Sequence, residues 1–338
     1  MNLGRQIAPP ATVPDSGPDY SHQDLVTALR KVGIGSGDVV FTVVGLATLG
    51  SAQDSASPAQ VHESLFGALR EVVGENGTIL VPTYTFSFCR REIFDRENTP
   101  SAKGPWSPST DFLEYVRQLP GAVRSADPIH SVAGVGPSAA ELLLNAAPTC
   151  FGEDSFFYRL RKLRGKICAI GVPLQESNFQ HHVEELVGVP FRYKKLFTGV
   201  VRSEGIAAKK GWVYNVGLLS ENGQLDGYRL EKLARETGLC RAARLGRGEV
   251  LGVDSAALFD LASNSLAADP WFTARGPAGD PVKLEQVRVA GPRYKVALSA
   301  NASMEESRRC CRPETSRAAT ACFRFDSPWR RCSRSCRY

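Results

Sequence analysis

Behind Ser21, the apolar residues Leu25, Leu29 and Val32 recur at the spacing of one helical face, and Asp24 stands three positions after the serine, as in a capping box. Gly33 and Gly35 end that pattern. The next run, Asp38 to Val44, is short, β-branched and bounded by glycines, which predicts a strand buried on both faces. A turn from Gly45 to Ala56 follows. Ser57-Pro58 then sets a cap before a proline at the first helical position, and Val61, Leu65, Leu69 and Val72 form one stripe ending at Gly74. Thr78 to Thr83 repeats the buried-strand pattern, and a helix over Ser155 to Leu163 leads into another such strand over Lys166 to Ile170. Strand, helix and strand at this spacing require a right-handed parallel crossover. The pattern therefore predicts an α/β fold with a central, mostly parallel sheet flanked by helices. An additional antiparallel or mixed C-terminal region follows, with a helix near Ser255 to Leu266.

Composition divides the 338 residues unevenly. Residues 1–20 hold four prolines and two glycines with little periodicity, and read as a flexible leader. From Asn301 to Tyr338 there are nine arginines, no lysine, four acids and five of the nine cysteines, so 301–338 reads as an unstructured Arg/Cys-rich tail. That leaves 21–300 as a single α/β domain. Five of the six net positive charges belong to the tail, and the nearly neutral body does not carry the basic stripe that nucleic-acid binding needs. The four scattered cysteines of the body read as reduced thiols. No run of about 18 apolar residues could span a bilayer, and no secretory start is seen. A cytoplasmic protein without membrane or nucleic-acid partners is expected. The tail cysteines lack the C-x₂-C spacing of common zinc sites and have no histidine nearby, so no metal site is expected.

Side chains that titrate near neutrality are scarce, with five histidines in all. Two are adjacent, in Phe179-Gln-His-His-Val-Glu-Glu185. If helical, this segment sets His181 three residues before Glu184 on one face and His182 three before Glu185 on the next. Each pair could be an imidazole oriented by a carboxylate, which would fix the ring tautomer and raise its proton affinity toward the working pH. The alternative is a solvated His/Glu-rich face. A second polar cluster, Asp127-Pro-Ile-His130-Ser, precedes the small run Val132 to Gly136, where backbone amides could approach a ligand. Its alternative is an ordinary Asp-Pro turn with His130 packed on the body. Dinucleotide, phosphate-loop, serine-elbow and H-E-x-x-H motifs are absent.

Five blocks, taken in order, resemble the aminoglycoside 3-N-acetyltransferase family, whose fold differs from that of the common acetyl-CoA-dependent superfamily. They are Gly35-x-Gly-Asp38 with Gly45-Leu-Ala-Thr-Leu-Gly50, then Gly77 to Thr83, Arg124 to Ser131, Phe151 to Ser155 with Arg159-Leu160, and Phe179 to Glu184. The resemblance implies an acetyltransferase domain that moves an acetyl group from acetyl-CoA to a primary amine by direct attack in a ternary complex. Its His-x-x-Glu element falls on His181 and Glu184, with His181 as candidate general base and His182 as its neighbouring candidate. Its CoA loop falls on Gly45, Leu46, Thr48, Leu49 and Gly50, with Arg124, Ser125 and Ser155 as further cofactor-binding positions. Asp127, His130 and Glu185 are the substrate-binding candidates. The partner implied is a small-molecule amine of an aminoglycoside, amino sugar or related intermediate, and a homodimer is left open. The chain departs from many members in having Val43-Val44-Gly45 for His-Ser-Ser before the loop, and Asp127-Pro128 for His-Pro. Glu185 to Lys194 resembles members tied to natural-product biosynthesis more than drug-resistance enzymes.

Overall fold

In the computed structural model, residues 18–53, 55, 57–102, 108–218 and 222–276 are described. The expected tail at 301–338, and the leader up to residue 17, lie outside them. The chain order is α1 (His22–Lys31), β1 (Val39–Val44), α2 (Pro58–Val73), β2 (Thr78–Pro82), β3 (Phe94–Asp95), α3 (Pro108–Arg117), β4 (Val123–Arg124) and β5 (Val132–Val135). It continues through α4 (Ala139–Leu143), α5 (Phe156–Lys162), β6 (Lys166–Ile170), α6 (Phe179–Val187), β7 (Arg192–Ser203) and β8 (Ile206–Gly217). It closes with α7 (Tyr228–Glu236), β9 (Arg241–Leu245), β10 (Gly248–Asp254) and α8 (Ser255–Ala268). Short 3₁₀ turns cover Leu46–Thr48 and Leu174–Ser177.

Local chemistry sets several of these limits. Ser21 caps α1 in a complete capping box with Asp24, and Ser57 caps α2 ahead of Pro58. The leader ends earlier than the sequence pattern indicates, because two of its residues are held by the body. Asp19 accepts the Ser51 N–H at 2.8 Å and pairs with Arg247, and the Tyr20 ring is buried.

The main sheet runs β4-β5-β2-β1-β6-β10-β9. Its centre, β2-β1-β6, is parallel, while β5 and β4 on one side and β10 and β9 on the other pair antiparallel. A smaller sheet, β3-β7-β8, is dominated by the long β7–β8 hairpin. Alternate residues of the parallel strands enter two separate cores, as the continuous apolar runs require. Phe41 and Val43 of β1, with Ile167 and Ala169 of β6, face the core shared with α5, α6, α8 and the smaller sheet. Val40, Val44, Cys168 and Ile170 face the core under α1, α2 and α3.

The small run from Val132 to Gly136 has a different use from the one its composition predicts. Residues 132–135 form β5, and a Cβ on Gly134 would lie 2.5 Å from the Ile79 carbonyl oxygen, so that glycine serves close strand approach.

Candidate active site

Parallel strands deliver their loops to one edge of a sheet, and ligands in open α/β sheets bind there. Here the ends of β1, β2 and β6 bring together Gly45 to Gly50, Thr83 to Phe88 and Gly171 to Asn178. Because β5 runs antiparallel to β2, its start puts Asp127 to Ser131 at the same edge; the Thr83 N–H donates to the Ser131 carbonyl at 2.8 Å. The Gly45 N–H donates to the Ile170 carbonyl at 2.8 Å, joining the ends of β1 and β6. Gly171, with φ of 67°, is held to glycine by this junction: a Cβ would meet the Gly45 oxygen and the Thr48 hydroxyl at 2.5 Å each.

From that edge the chain turns through the second 3₁₀ segment into α6. Asn178 adopts a left-handed conformation at its start and Gly188 another at its end. Every residue from Phe179 to Glu185 is buried, so the solvated-face alternative does not hold. His181 Nδ1 lies 2.7 Å from Glu184 Oε2, as the spacing predicted. Glu184 also accepts the Thr273 hydroxyl at 2.6 Å and forms an ion pair with the Nε of Arg192. Arg192 donates through Nη1 to the Asn215 carbonyl at 3.0 Å, and its Nη2 stands 3.4 Å from His181 Nε2. A carboxylate on Nδ1 and a guanidinium N–H near Nε2 fix one tautomer: Nδ1 carries the proton, and the unprotonated Nε2 faces the guanidinium. Burial and the Arg192 charge lower the proton affinity of His181 below that of a free imidazole, and Glu184 only partly opposes them. The carboxylate thus does not raise the ring's proton affinity overall, as the isolated pair would. Burial works against an ionised Glu184, yet Arg192 and His181 hold its carboxyl below the usual range.

The second pair predicted on α6 does not form. His182 donates from Nδ1 to the Phe151 carbonyl at 2.6 Å, and packs among Tyr158, Phe179 and Phe259. Burial pushes its pKa down to about 4. Glu185 turns instead to Lys194, 3.5 Å away, and burial raises its pKa despite that cation.

The Asp127 cluster is built as the packing alternative describes. Asp127 accepts the N–H groups of Ile129 and His130 at 2.8 and 2.9 Å, closing a tight turn. Burial raises its pKa to about 6. The His130 ring is enclosed by Tyr84, Phe86, Phe151 and Tyr214, with centroids 4.8 to 5.1 Å away. Its Nδ1 is buried without a hydrogen-bond partner, and burial with the neighbouring His181 and Arg192 keeps the ring neutral. Phe151 touches both His130 and His181, so the two clusters share one aromatic wall.

Arg124, Ser125 and Ser155 direct their polar groups into the fold. Arg124 donates to Thr83 and to the carbonyls of Arg96 and Thr99, Ser125 accepts the Val132 N–H at 3.0 Å, and Ser155 caps α5. They shape the edge on which the loops sit. In the Gly45–Gly50 loop, Leu49 is buried, Leu46 and Gly50 are half-buried, and Ala47 and Thr48 are exposed. The Thr48 hydroxyl lies 2.9 and 2.5 Å from the carbonyls of Gly45 and Gly171.

Arg192 and Thr273 were not singled out by the sequence. Arg192 lies in the Glu185–Lys194 phrase, but only the closing of β7 against α6 shows its partner. Thr273 is 89 residues from Glu184 and carries no local signal. Among the described residues, no group of three or more His, Cys, Asp or Glu could hold a metal ion, and no helix is long and apolar enough to cross a membrane.

The protein is thus of the class in which a mixed α/β sheet buries a histidine–carboxylate pair beside the loops of its parallel strands. The model of the aminoglycoside 3-N-acetyltransferase family matches residues 47–267, and the chain belongs to that family of acyltransferases. Aminoglycoside N(3)-acetyltransferase VII of Streptomyces paromomycinus is 29% identical over 75% of this chain and 94% of its own length. Aminoglycoside N(3)-acetyltransferase IX of Micromonospora chalcea is 27% identical over 75% and 95%. Among solved structures, sisomicin-bound AAC-VIa superposes with a TM-score of 0.63 at 24% identity, over 74% of this chain and 98% of its own. AAC-IIIb in a binary complex with CoASH gives 0.62 at 19%, over 73% and 96%.

Proposed function

We propose that the chain transfers an acetyl group from acetyl-CoA to a primary amine of an aminoglycoside or related amino sugar, with His181 as general base. One observation carries this reading: the buried His181 has Nδ1 held by Glu184, which leaves Nε2 as the unprotonated nitrogen, 3.4 Å from Arg192 Nη2. An ammonium is no nucleophile at pH 7, so the amine must lose a proton before or during attack. Nε2 takes that proton, and Glu184 stabilises the imidazolium across the 2.7 Å contact. The neutral amine attacks the thioester carbonyl, the C–S bond breaks, and CoA leaves as a thiolate that the proton on Nε2 can neutralise.

Acetyl-CoA supplies the activated acetyl as a thioester. The Gly45–Gly50 loop is the place that suits its phosphates. Its first 3₁₀ N–H groups, on Leu46 and Ala47, have no partner inside the turn, and Ala47 and Thr48 are exposed. Support for this co-substrate comes from the CoASH-bound relative, and support for the amine from the names of the relatives and the sisomicin complex.

A second reading, an amine linked to a nucleotide or another anionic group, is favoured by charge. Three acids near the site are already paired with a cation: Asp154 with Arg159, Glu184 with Arg192 and Glu185 with Lys194. A thiol-release assay with acetyl-CoA against aminoglycosides, simple amino sugars and nucleotide-linked amino sugars tests both. Release confined to aminoglycosides and amino sugars supports the first reading, and release confined to anionic amines supports the second. Acetyl-CoA binding with no release across the panel would instead mark a catalytically silent relative.

A further inference from the structure

Arg192 stands where two functions meet. Its side chain is 8% exposed, its Nε pairs with Glu184, its Nη1 is tied to the Asn215 carbonyl, and its Nη2 stands on His181 Nε2. Register explains why a strand can supply it. Arg192 opens β7 opposite Gly217 at the end of β8, next to the Lys194–Asn215 pair, so the hairpin end that faces α6 carries the guanidinium. A cation that deep beside an imidazole is costly unless it does something for the acid behind the ring.

We propose that Arg192 is the positioning residue of the reaction: it locks Glu184 onto His181 Nδ1 and caps Nε2 with a guanidinium N–H that the incoming amine displaces. This inference rests on the general-base reading. In the resting enzyme the base is therefore neutral and its lone pair is occupied by an exchangeable donor. The amine replaces that donor as it surrenders its own proton to the same nitrogen. Arg192 remains tied to Glu184 and Asn215, so the carboxylate does not follow the displaced hydrogen bond. Its positive charge also favours passing that proton from Nε2 to the departing CoA thiolate, because an imidazolium beside a guanidinium is electrostatically disfavoured.

The groups facing His181 make this testable. From α6 this is Glu184; from β7, Arg192; and from the loop before β5, His130, while His182, Glu185 and Lys194 lie on the neighbouring face. Of these, Glu184 and Arg192 act on the ring most directly and with opposite signs. Removing the arginine charge leaves the carboxylate opposed by burial alone, so His181 gains proton affinity.

The experiment is NMR titration of the histidine rings in the full chain, where five histidines make assignment by single substitution practicable. In wild type, nitrogen shifts of His181 should report Nδ1–H with Nε2 unprotonated; an Nε2–H tautomer would overturn the proposal without any variant. In Arg192→Gln the titration midpoint should rise by at least about half a pH unit, and the acid limb of kcat/KM should move with it. Arg192→Lys keeps the charge and should leave the midpoint near wild type while lowering kcat. Loss of activity at every pH in a folded Arg192→Gln chain, with the His181 midpoint unmoved, would show a merely structural arginine and overturn the proposal. Full activity of His181→Ala would sink the base reading separately, since the titration needs no turnover.

Discussion

Two histidines share one helix, one residue apart, each with a glutamate three positions on, and they end in opposite situations. His181 is joined to its glutamate and has a lone pair turned toward a movable donor. His182 is joined to the Phe151 carbonyl, and Glu185 has gone to Lys194. Spacing along a helix says which side chains can meet, and the elements packed on each face decide whether they do. On the His181 face, β7 brings a guanidinium and the segment after α8 brings Thr273, which together hold an anion in place. On the His182 face, α5 and α8 bring Tyr158 and Phe259, which offer an imidazole nothing to bind. On the proposed reading the first pair serves proton transfer, while His182 alone braces the loop before α5.

Replacing Glu184 by Gln should break this contrast most severely. Arg192 would be left as an uncompensated buried charge, at a cost on the order of 3–5 kcal/mol in denaturant unfolding, and turnover should fall as His181 loses its orienting anion. Next comes His182→Ala. It should lower stability by about 2–4 kcal/mol, because the Phe151 carbonyl loses its donor and a cavity opens among aromatic rings. Turnover per folded molecule should stay within about threefold of wild type, since a brace makes no contact with a reacting atom and only a positioned base carries the larger factor. A much larger loss would move the chemistry to the second histidine.

Asp127 sharpens the comparison from outside the helix. With burial raising its folded pKa to about 6 from an ordinary 3.8, the native state binds more protons than the unfolded chain between those values. Wild-type stability should therefore fall as pH rises through that window, by about 3 kcal/mol in all. Asp127→Asn keeps an acceptor for the Ile129 and His130 N–H groups and should flatten that dependence, which melting curves from pH 4 to 7 would show. Glu185→Gln should have the smallest effect, under about 1 kcal/mol, because its contact with Lys194 is long and one carboxylate oxygen already lacks a partner.

Much of the framework was legible in the chain. The β1, β2 and β6 runs and the Ser21 and Ser57 caps follow from local patterning, because both faces of those strands are apolar and the caps are chemical. Of the site, His181 with Glu184 was legible because the two lie within one helical turn. Arg192 and Thr273 were not, since each reaches Glu184 only through tertiary packing. Arg124 shows the converse: the resemblance makes it a cofactor-binding position, and in the fold its guanidinium is engaged by Thr83 and carbonyl oxygens. Small residues are ambiguous in the same way. Val132 to Gly136 looks like a flexible loop, yet it is a strand whose glycine admits the neighbouring backbone.

The most direct trial sets His181→Ala beside His182→Ala, with turnover in the thiol-release assay normalised to folded protein and acetyl-CoA affinity measured in parallel. The His181 variant should bind the co-substrate normally and turn over ~10²-fold or more slower than the His182 variant. Equal turnover in the two would contradict the assignment of the base.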